Sequence, residues 1–167
     1  PGRTPSIPIQ YGAPSQLGAD RLANAEGARN RLGPEALVVD LGTALTVDVI
    51  REVAFQGGVI FPGRGAAARA LSGDAESLPA VTVGEEAIPL LGRSTDEGIA
   101  SGLYHGYREL VAGLVRRLRW EYGPLPTVAT GGGSDILKGM QEIDTQDPDL
   151  TLFGIYSLYR RMRESRA

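Results

Sequence analysis

A chain of 167 residues that is 42% hydrophobic and 22% charged can bury a real core and is globular in composition, not disordered. Its net charge of −3 argues against a general binder of nucleic acid or membrane surfaces, and the local basic stretches (Arg116, Arg117 and Arg119; Arg160, Arg161, Arg163 and Arg166) read as solvated helix faces. The absence of cysteine excludes disulfides and thiolate metal sites, and a single histidine excludes most zinc and histidine-dependent nucleophile designs.

No signal peptide or membrane-length apolar run appears, so a cytoplasmic protein is expected. Residues 1–16 are rich in Pro and Gln and read as extended or looped. A helix then opens at Leu17-Gly18-Ala19-Asp20-Arg21, with Leu22, Ala25, Ala28 and Leu32 at helical spacing, and Gly33-Pro34 ends it. Asp20 and Arg21 fall in its first turn. A carboxylate is favoured there by the helix dipole, so a simple helix-start acid with an exposed arginine competes with a pair facing a cleft. The apolar run Ala36 to Val39 ends on Asp40, and Gly42 turns the backbone before the hydroxyls of Thr43 and Thr46. This order is a strand running into a phosphate loop: glycine lets backbone N–H groups approach an anion, hydroxyls donate to phosphate oxygens, and a carboxylate holds the accompanying cation. Asp48 to Ile50 and Phe55 to Ile60 continue the extended pattern, so a β-hairpin carries the loop. The glycines Gly57-Gly58 and Gly63 bring backbone close to a ligand or to the next helix.

A small-residue helix follows at Ala66 to Leu71, then an irregular stretch over 72–92 broken by Pro79 and Pro89. Ser94 with Glu97 forms a capping box, starting the longest helix, to about Tyr122, with Ile99, Leu103, Tyr107, Leu110, Leu114 and Leu118 as its buried stripe. His105 reads as a packing or surface residue. Thr127 to Thr130 is a buried strand, and Gly131-Gly132-Gly133-Ser134 is expected to lead into a helix from Asp135, making an anion or nucleotide site. A dinucleotide turn is the weaker reading of this loop, because G-x-G-x-x-G spacing is missing. Asp147-Pro148 caps the last helix, Leu150 to Arg163, with Leu152, Ile155, Leu158, Tyr159 and Met162 expected inward.

In order, Tyr11, Gly18-Ala19-Asp20-Arg21, Asp40-x-Gly42-Thr43-Ala44-x-Thr46-x-Asp48, Gly57-Gly58-x-Ile60-x-Pro62-Gly63, Leu78-Pro79, Gly92-x-x-Thr95 and Thr130-Gly131-Gly132 resemble the type III pantothenate kinases. The resemblance runs from about Tyr11 to Tyr159. It implies an α/β fold of the acetate and sugar kinase, Hsp70 and actin superfamily: a ribonuclease-H-like domain over 36–167, with a mixed five-stranded type of sheet flanked by helices, preceded at 1–35 by the tail of a similar domain. It implies ATP-dependent phosphorylation of pantothenate to 4'-phosphopantothenate, the first step of coenzyme A biosynthesis, with Mg²⁺ and a monovalent cation (K⁺ or NH₄⁺), by a homodimer. Carried over, Asp20 is the general base, and Tyr11, Gly18, Ala19, Arg21 and Thr95 bind pantothenate. Gly42, Thr43, Thr46, Gly131 and Gly132 line ATP, and Asp40 holds the cation.

Two departures accompany it. The family's first Asp-x-Gly-Asn-Thr phosphate loop does not occur in the chain, so the expectation is a fragment, one subunit of a split kinase whose second polypeptide supplies the loop, or a non-catalytic, regulatory homologue akin to the accessory transcription factors. Ala75 stands where the family usually places a threonine near pantothenate.

Overall fold

The computed structural model describes residues 7–74, 78–82, 84 and 88–164, so the substitution at Ala75 lies outside the described residues. Strands β1 (Ala36–Leu41), β2 (Ala44–Arg51) and β3 (Ala54–Pro62) form an antiparallel meander. Strand β4 (Thr127–Thr130) pairs parallel with β1, and β5 (Thr145–Gln146) parallel with β4, giving the order β3-β2-β1-β4-β5. The sheet is therefore mixed and five-stranded, as the resemblance implies. β1 lies at its centre, and Leu37, Val38 and Val39 are all fully buried, which is why its sequence reads as a continuous apolar run.

Helices cover both faces. Helix α3 (Thr95–Tyr122) and α2 (Arg64–Asp74) lie over Leu37, Val39, Leu45 and Val47. Helix α1 (Ala19–Leu32) lies over Val38, Ile50 and Val128, and α4 (Leu150–Glu164) packs against α1. Residues 8–10 run beside the start of β3, where Gln10 N–H donates to the Phe55 carbonyl at 2.8 Å. In α3 the most deeply buried positions are Val111 and Val115, with Leu103 and Tyr107 beside them and Ile99, Leu110, Leu114 and Leu118 partly buried. The capping box is half formed: Ser94 Oγ accepts from Glu97 N–H, but the Glu97 carboxylate accepts from Arg93 N–H.

Two expectations are corrected. The glycine loop after β4 does not open an α-helix; it runs into one 3₁₀ turn, Ser134–Leu137. Ser134 bonds back to the Gly131 carbonyl through both its N–H (3.0 Å) and its hydroxyl (2.7 Å), and Ile136 and Leu137 drop into the core, so the chain is drawn inward before a second turn can form. A single turn gathers too few aligned peptide dipoles to act on an anion as a helix N-terminus does. In α4, Leu152, Ile155, Tyr159 and Met162 face outward, 41–67% exposed, while Leu158 is half-buried. The inward contact is made by Leu150 and Gly154, because α1 presents Ala23 and Gly27 and the helices come so close that a side chain at Gly154 would overlap the Ala23 backbone carbonyl. Small residues set that interface, and the large apolar ones are displaced from it.

Candidate active site

The C-terminal end of β1 places Asp40 on the sheet face covered by α1. Thr46 and Thr130, its register partners on β2 and β4, share that face, and Asp48 lies two residues along from Thr46. Helix α1 delivers Arg21 and Asn24, three apart and so on one side of the helix. The Arg21 Nε–H lies 3.1 Å from both Asp48 carboxylate oxygens, and a terminal guanidinium nitrogen donates to Asp48 as well. The pair is sealed, with Arg21 at 6% and Asp48 at 1% exposure. The rings of Tyr11 and Phe55 stand 5.9 and 5.2 Å from the guanidinium carbon. Gly58, opposite Asp48 on β3, leaves room for this carboxylate, since any side chain there would overlap it. Asn24, fully buried, donates from Nδ2 to Asp40 Oδ2 at 2.7 Å, and its Oδ1 accepts from the Thr151 hydroxyl of α4 at 2.6 Å.

Asp20 is exposed at the start of α1, and its Oδ1 accepts from Arg21 N–H at 2.8 Å. A side chain at Gly18 would overlap that oxygen, so glycine at the N-cap gives the carboxylate its position. Burial pushes the Asp40 carboxyl above the usual carboxylate range; the nearby charge of Asp20 adds to this, and the Asn24 hydrogen bond opposes it. Burial likewise raises Asp48, against the pull of Arg21. For Arg21, burial disfavours the charge, and the bonds and charge of Asp48 more than restore it.

A raised carboxyl in the folded state binds its proton more tightly than in the unfolded chain. The stability this supplies is present below the ordinary carboxylate range and is lost as pH rises through the raised value of Asp40. Asp40→Asn, neutral throughout, should therefore raise the Tm by a few degrees near pH 7, with the gain shrinking toward pH 4, as read by thermal unfolding across that range. A gain independent of pH would show that the Asp40 charge is not the cause.

The residues at Asp40 fit a hard cation bound together with phosphate. All side-chain donors there are oxygens, and Thr130 Oγ1 is buried without a hydrogen-bond partner next to Asp40 in the sheet. Gly131 has a φ of +90°, and a side chain on it would overlap Asp40 Oδ1 and come within 2.8 Å of the Leu41 carbonyl, so only glycine lets the backbone pass this close to that oxygen. Among the described residues no group of three or more acidic or histidine side chains gathers, so a cation held by Asp40 would need to complete its shell from phosphate, water or backbone oxygens.

Of the other expected site residues, Gly42 and Thr43 form the exposed turn between β1 and β2, closed by Gly63 N–H donating to the Thr43 carbonyl at 3.0 Å. Thr46 is buried and its hydroxyl faces Asp48 at 3.5 Å. Ala19 and Gly132 are exposed, and Tyr11 is half-buried with its ring against Gly57. Thr95 is exposed at the start of α3, and no hydrogen bond or ring contact joins it to Tyr11 or Arg21. The structure thus brings Asp40, Gly42 and Gly131 together at the end of β1, with Asp20 near Asp40 and Tyr11 reaching the group only through Arg21, since its ring lies on Phe55 and Gly57 toward the start of β1.

Residues 1–117 match the family described as Type III pantothenate kinase. The chain belongs to the type III pantothenate kinase family. Relatives bearing that name include one from Maricaulis maris, 40% identical over 163 residues (96% of this chain, 62% of the relative), and one from Thermomicrobium roseum, 42% identical over 163 residues (95% and 62%). The chain therefore spans less than two thirds of these pantothenate kinases. The fold is shared with a protein described as a Baf family transcriptional activator from Campylobacter jejuni (TM-score 0.63, 22% identity, 90% of this chain and 67% of that one). It is shared also with one described as a 2-dehydro-3-deoxygalactonokinase from Sinorhizobium meliloti (TM-score 0.57, 12% identity, 85% and 59%).

Three residues that support this candidate site have no role assigned by the sequence alone. Asp48 stood in the quoted motif without a role. Its alternation with Thr46 and Asp40 on one sheet face was the available signal. Asn24 is a buried amide three residues after Arg21, and the spacing alone gives it no partner. Thr151, 127 residues further on, meets it only through the fold.

Proposed function

We propose that this chain carries the acceptor-activating and cation-holding half of an ATP-dependent kinase that converts pantothenate to 4'-phosphopantothenate, opening coenzyme A biosynthesis. The observation that carries the proposal is the fastening of α1 to the end of β1: Asn24, one turn after Asp20 on α1, donates to Asp40 at 2.7 Å and so brings the two carboxylates to one site. Phosphoryl transfer needs a base at the attacking hydroxyl and a carboxylate at the metal and phosphates, and little covalent chemistry from the protein. Asp20, exposed and oriented by Arg21 N–H, takes the proton of the pantothenate hydroxyl as its oxygen bonds to the γ-phosphorus. The bond from that phosphorus to the β–γ bridging oxygen breaks, and ADP leaves with the electron pair.

Asp40 presents Oδ1 toward the glycines Gly42 and Gly131 and holds the cation there. Mg²⁺, when bound, neutralises charge on the phosphates, and K⁺ or NH₄⁺ serves as the monovalent cation. The turn at Gly42-Thr43 and the loop at Gly131-Gly132 border the nucleotide. Arg21 has donors beyond the nitrogens engaged by Asp48, and with Tyr11 it orients pantothenate, with Gly18 and Ala19 beside it; Thr95 belongs to the same pocket once ligand or a partner closes it. We read residues 1–35 as the remainder of a preceding ribonuclease-H-like domain. The phosphate loop comes from that domain or from a second polypeptide, and the working unit is a cytoplasmic homodimer.

The test is ADP release with Mg²⁺-ATP and K⁺, with and without pantothenate, for this chain and for a form of the relatives' full length. Release that requires pantothenate supports the reading. ADP release by the full-length form that is indifferent to pantothenate overturns it.

A further inference from the structure

Asp40 is held by one oxygen only. Its Oδ2 accepts from Asn24 Nδ2 at 2.7 Å, whereas Oδ1, which Gly42 and Gly131 accommodate, carries no hydrogen bond. The direction of the Asn24 amide decides whether this works. An amide oxygen turned toward Asp40 would set two acceptors against each other in a buried site. Asp40 itself sets the direction, because a carboxylate only accepts and so draws the amide NH₂ group; Oδ1 is then left toward Thr151, whose hydroxyl donates to it at 2.6 Å and holds the side chain in that place. Thr151 lies in the first turn of α4, which is locked on α1 by the tight contact at Gly154.

We propose that Asn24 and Thr151 are positioning residues: a hydrogen-bonded relay from α4 through α1 that aims the free oxygen of Asp40 at its cation. The inference rests on the cation reading of Asp40 proposed above. It makes the C-terminal helix, which contributes no atom to the opening itself, a determinant of cation affinity. Outer-shell partners that orient a ligating carboxylate commonly matter tenfold or more in metal affinity.

Mn²⁺ serves as the probe, titrated into the full chain in the presence of ADP and followed by the electron paramagnetic resonance of free Mn²⁺. Four proteins are compared: the parent, Asp40→Asn, Thr151→Val and Thr151→Ser. Valine keeps the shape of threonine and removes the donor; serine keeps the donor. The expected result is a loss of Mn²⁺ affinity of about tenfold in Thr151→Val, near-parental affinity in Thr151→Ser, and a larger loss in Asp40→Asn. Thermal unfolding of the same samples separates positioning from folding. A Thr151→Val protein that melts lower yet binds Mn²⁺ like the parent, while Asp40→Asn does not, overturns the relay and leaves the cation reading intact. Affinity that Asp40→Asn leaves unchanged overturns the cation reading and the relay with it.

Discussion

On the function proposed above, Asp20→Asn is expected to lower kcat for pantothenate phosphorylation by about a thousandfold in a form of the relatives' full length while ATP affinity stays within about twofold, because general-base assistance is worth roughly 10²–10⁴. The substitution is close to isosteric. The amide oxygen of asparagine can still accept from Arg21 N–H, so the start of α1 and the place of the side chain survive. What is lost is the capacity to take a proton. A second consequence separates this role from mere helix capping. Removing the Asp20 charge removes one of the influences that raise Asp40, so the Asp40 carboxyl moves back toward the ordinary range. Cation binding in Asp20→Asn should then persist to lower pH than in the parent, even as turnover collapses. Direct binding titrations with Mn²⁺ at two pH values and steady-state kinetics read the two effects independently. Turnover near the parent's would remove Asp20 from the base position.

The sequence carries the sheet well because its strands have unambiguous chemistry. The run from Ala36 to Val39 is buried on both faces, and Asp40 followed by Gly42 marks where it ends. α1 is equally legible from the spacing of Ala25 and Ala28 and from Gly33-Pro34 after it. Reading failed where contact was made by the absence of a side chain. In α4 the helical period of Leu152, Ile155, Tyr159 and Met162 is real, yet the helix turns that stripe outward because Gly154 allows backbone-to-backbone approach to Ala23. Hydrophobic periodicity weighs large residues and cannot register such a contact. The loop after β4 failed for a related reason: three glycines before a polar cap suggest a helix start, but Ile136 and Leu137 are drawn into the core within one turn. The site was legible in its motif residues and opaque in its supports. Asp48, Asn24 and Thr151 act through partners 27, 16 and 127 positions away, and no local pattern announces such pairings.

The largest stability effect is expected at one of those supports. Asp48→Ala should destabilise the fold by about 3–5 kcal/mol, since it leaves the Arg21 guanidinium in a buried site without its counter-charge. For a chain of this size that corresponds to a Tm lower by on the order of 10 °C. The cost belongs to the stranded charge more than to the lost bond. The double variant Arg21→Met/Asp48→Leu, which removes both charges and keeps volume beside Phe55 and Tyr11, should therefore recover most of the loss. Function should not follow stability. If the pair exists only to hold α1 on the sheet, the double variant will bind pantothenate as the parent does. If Asp48 holds Arg21 with its remaining donors aimed at the substrate, the double variant will be well folded and will have a pantothenate KM raised by tenfold or more, with the KM for ATP little changed. The second outcome is expected. A buried ion pair is a poor way to gain stability compared with apolar packing, and one placed between the helix that carries Asp20 and the sheet that carries Asp40 is better explained by the orientation it imposes on Arg21.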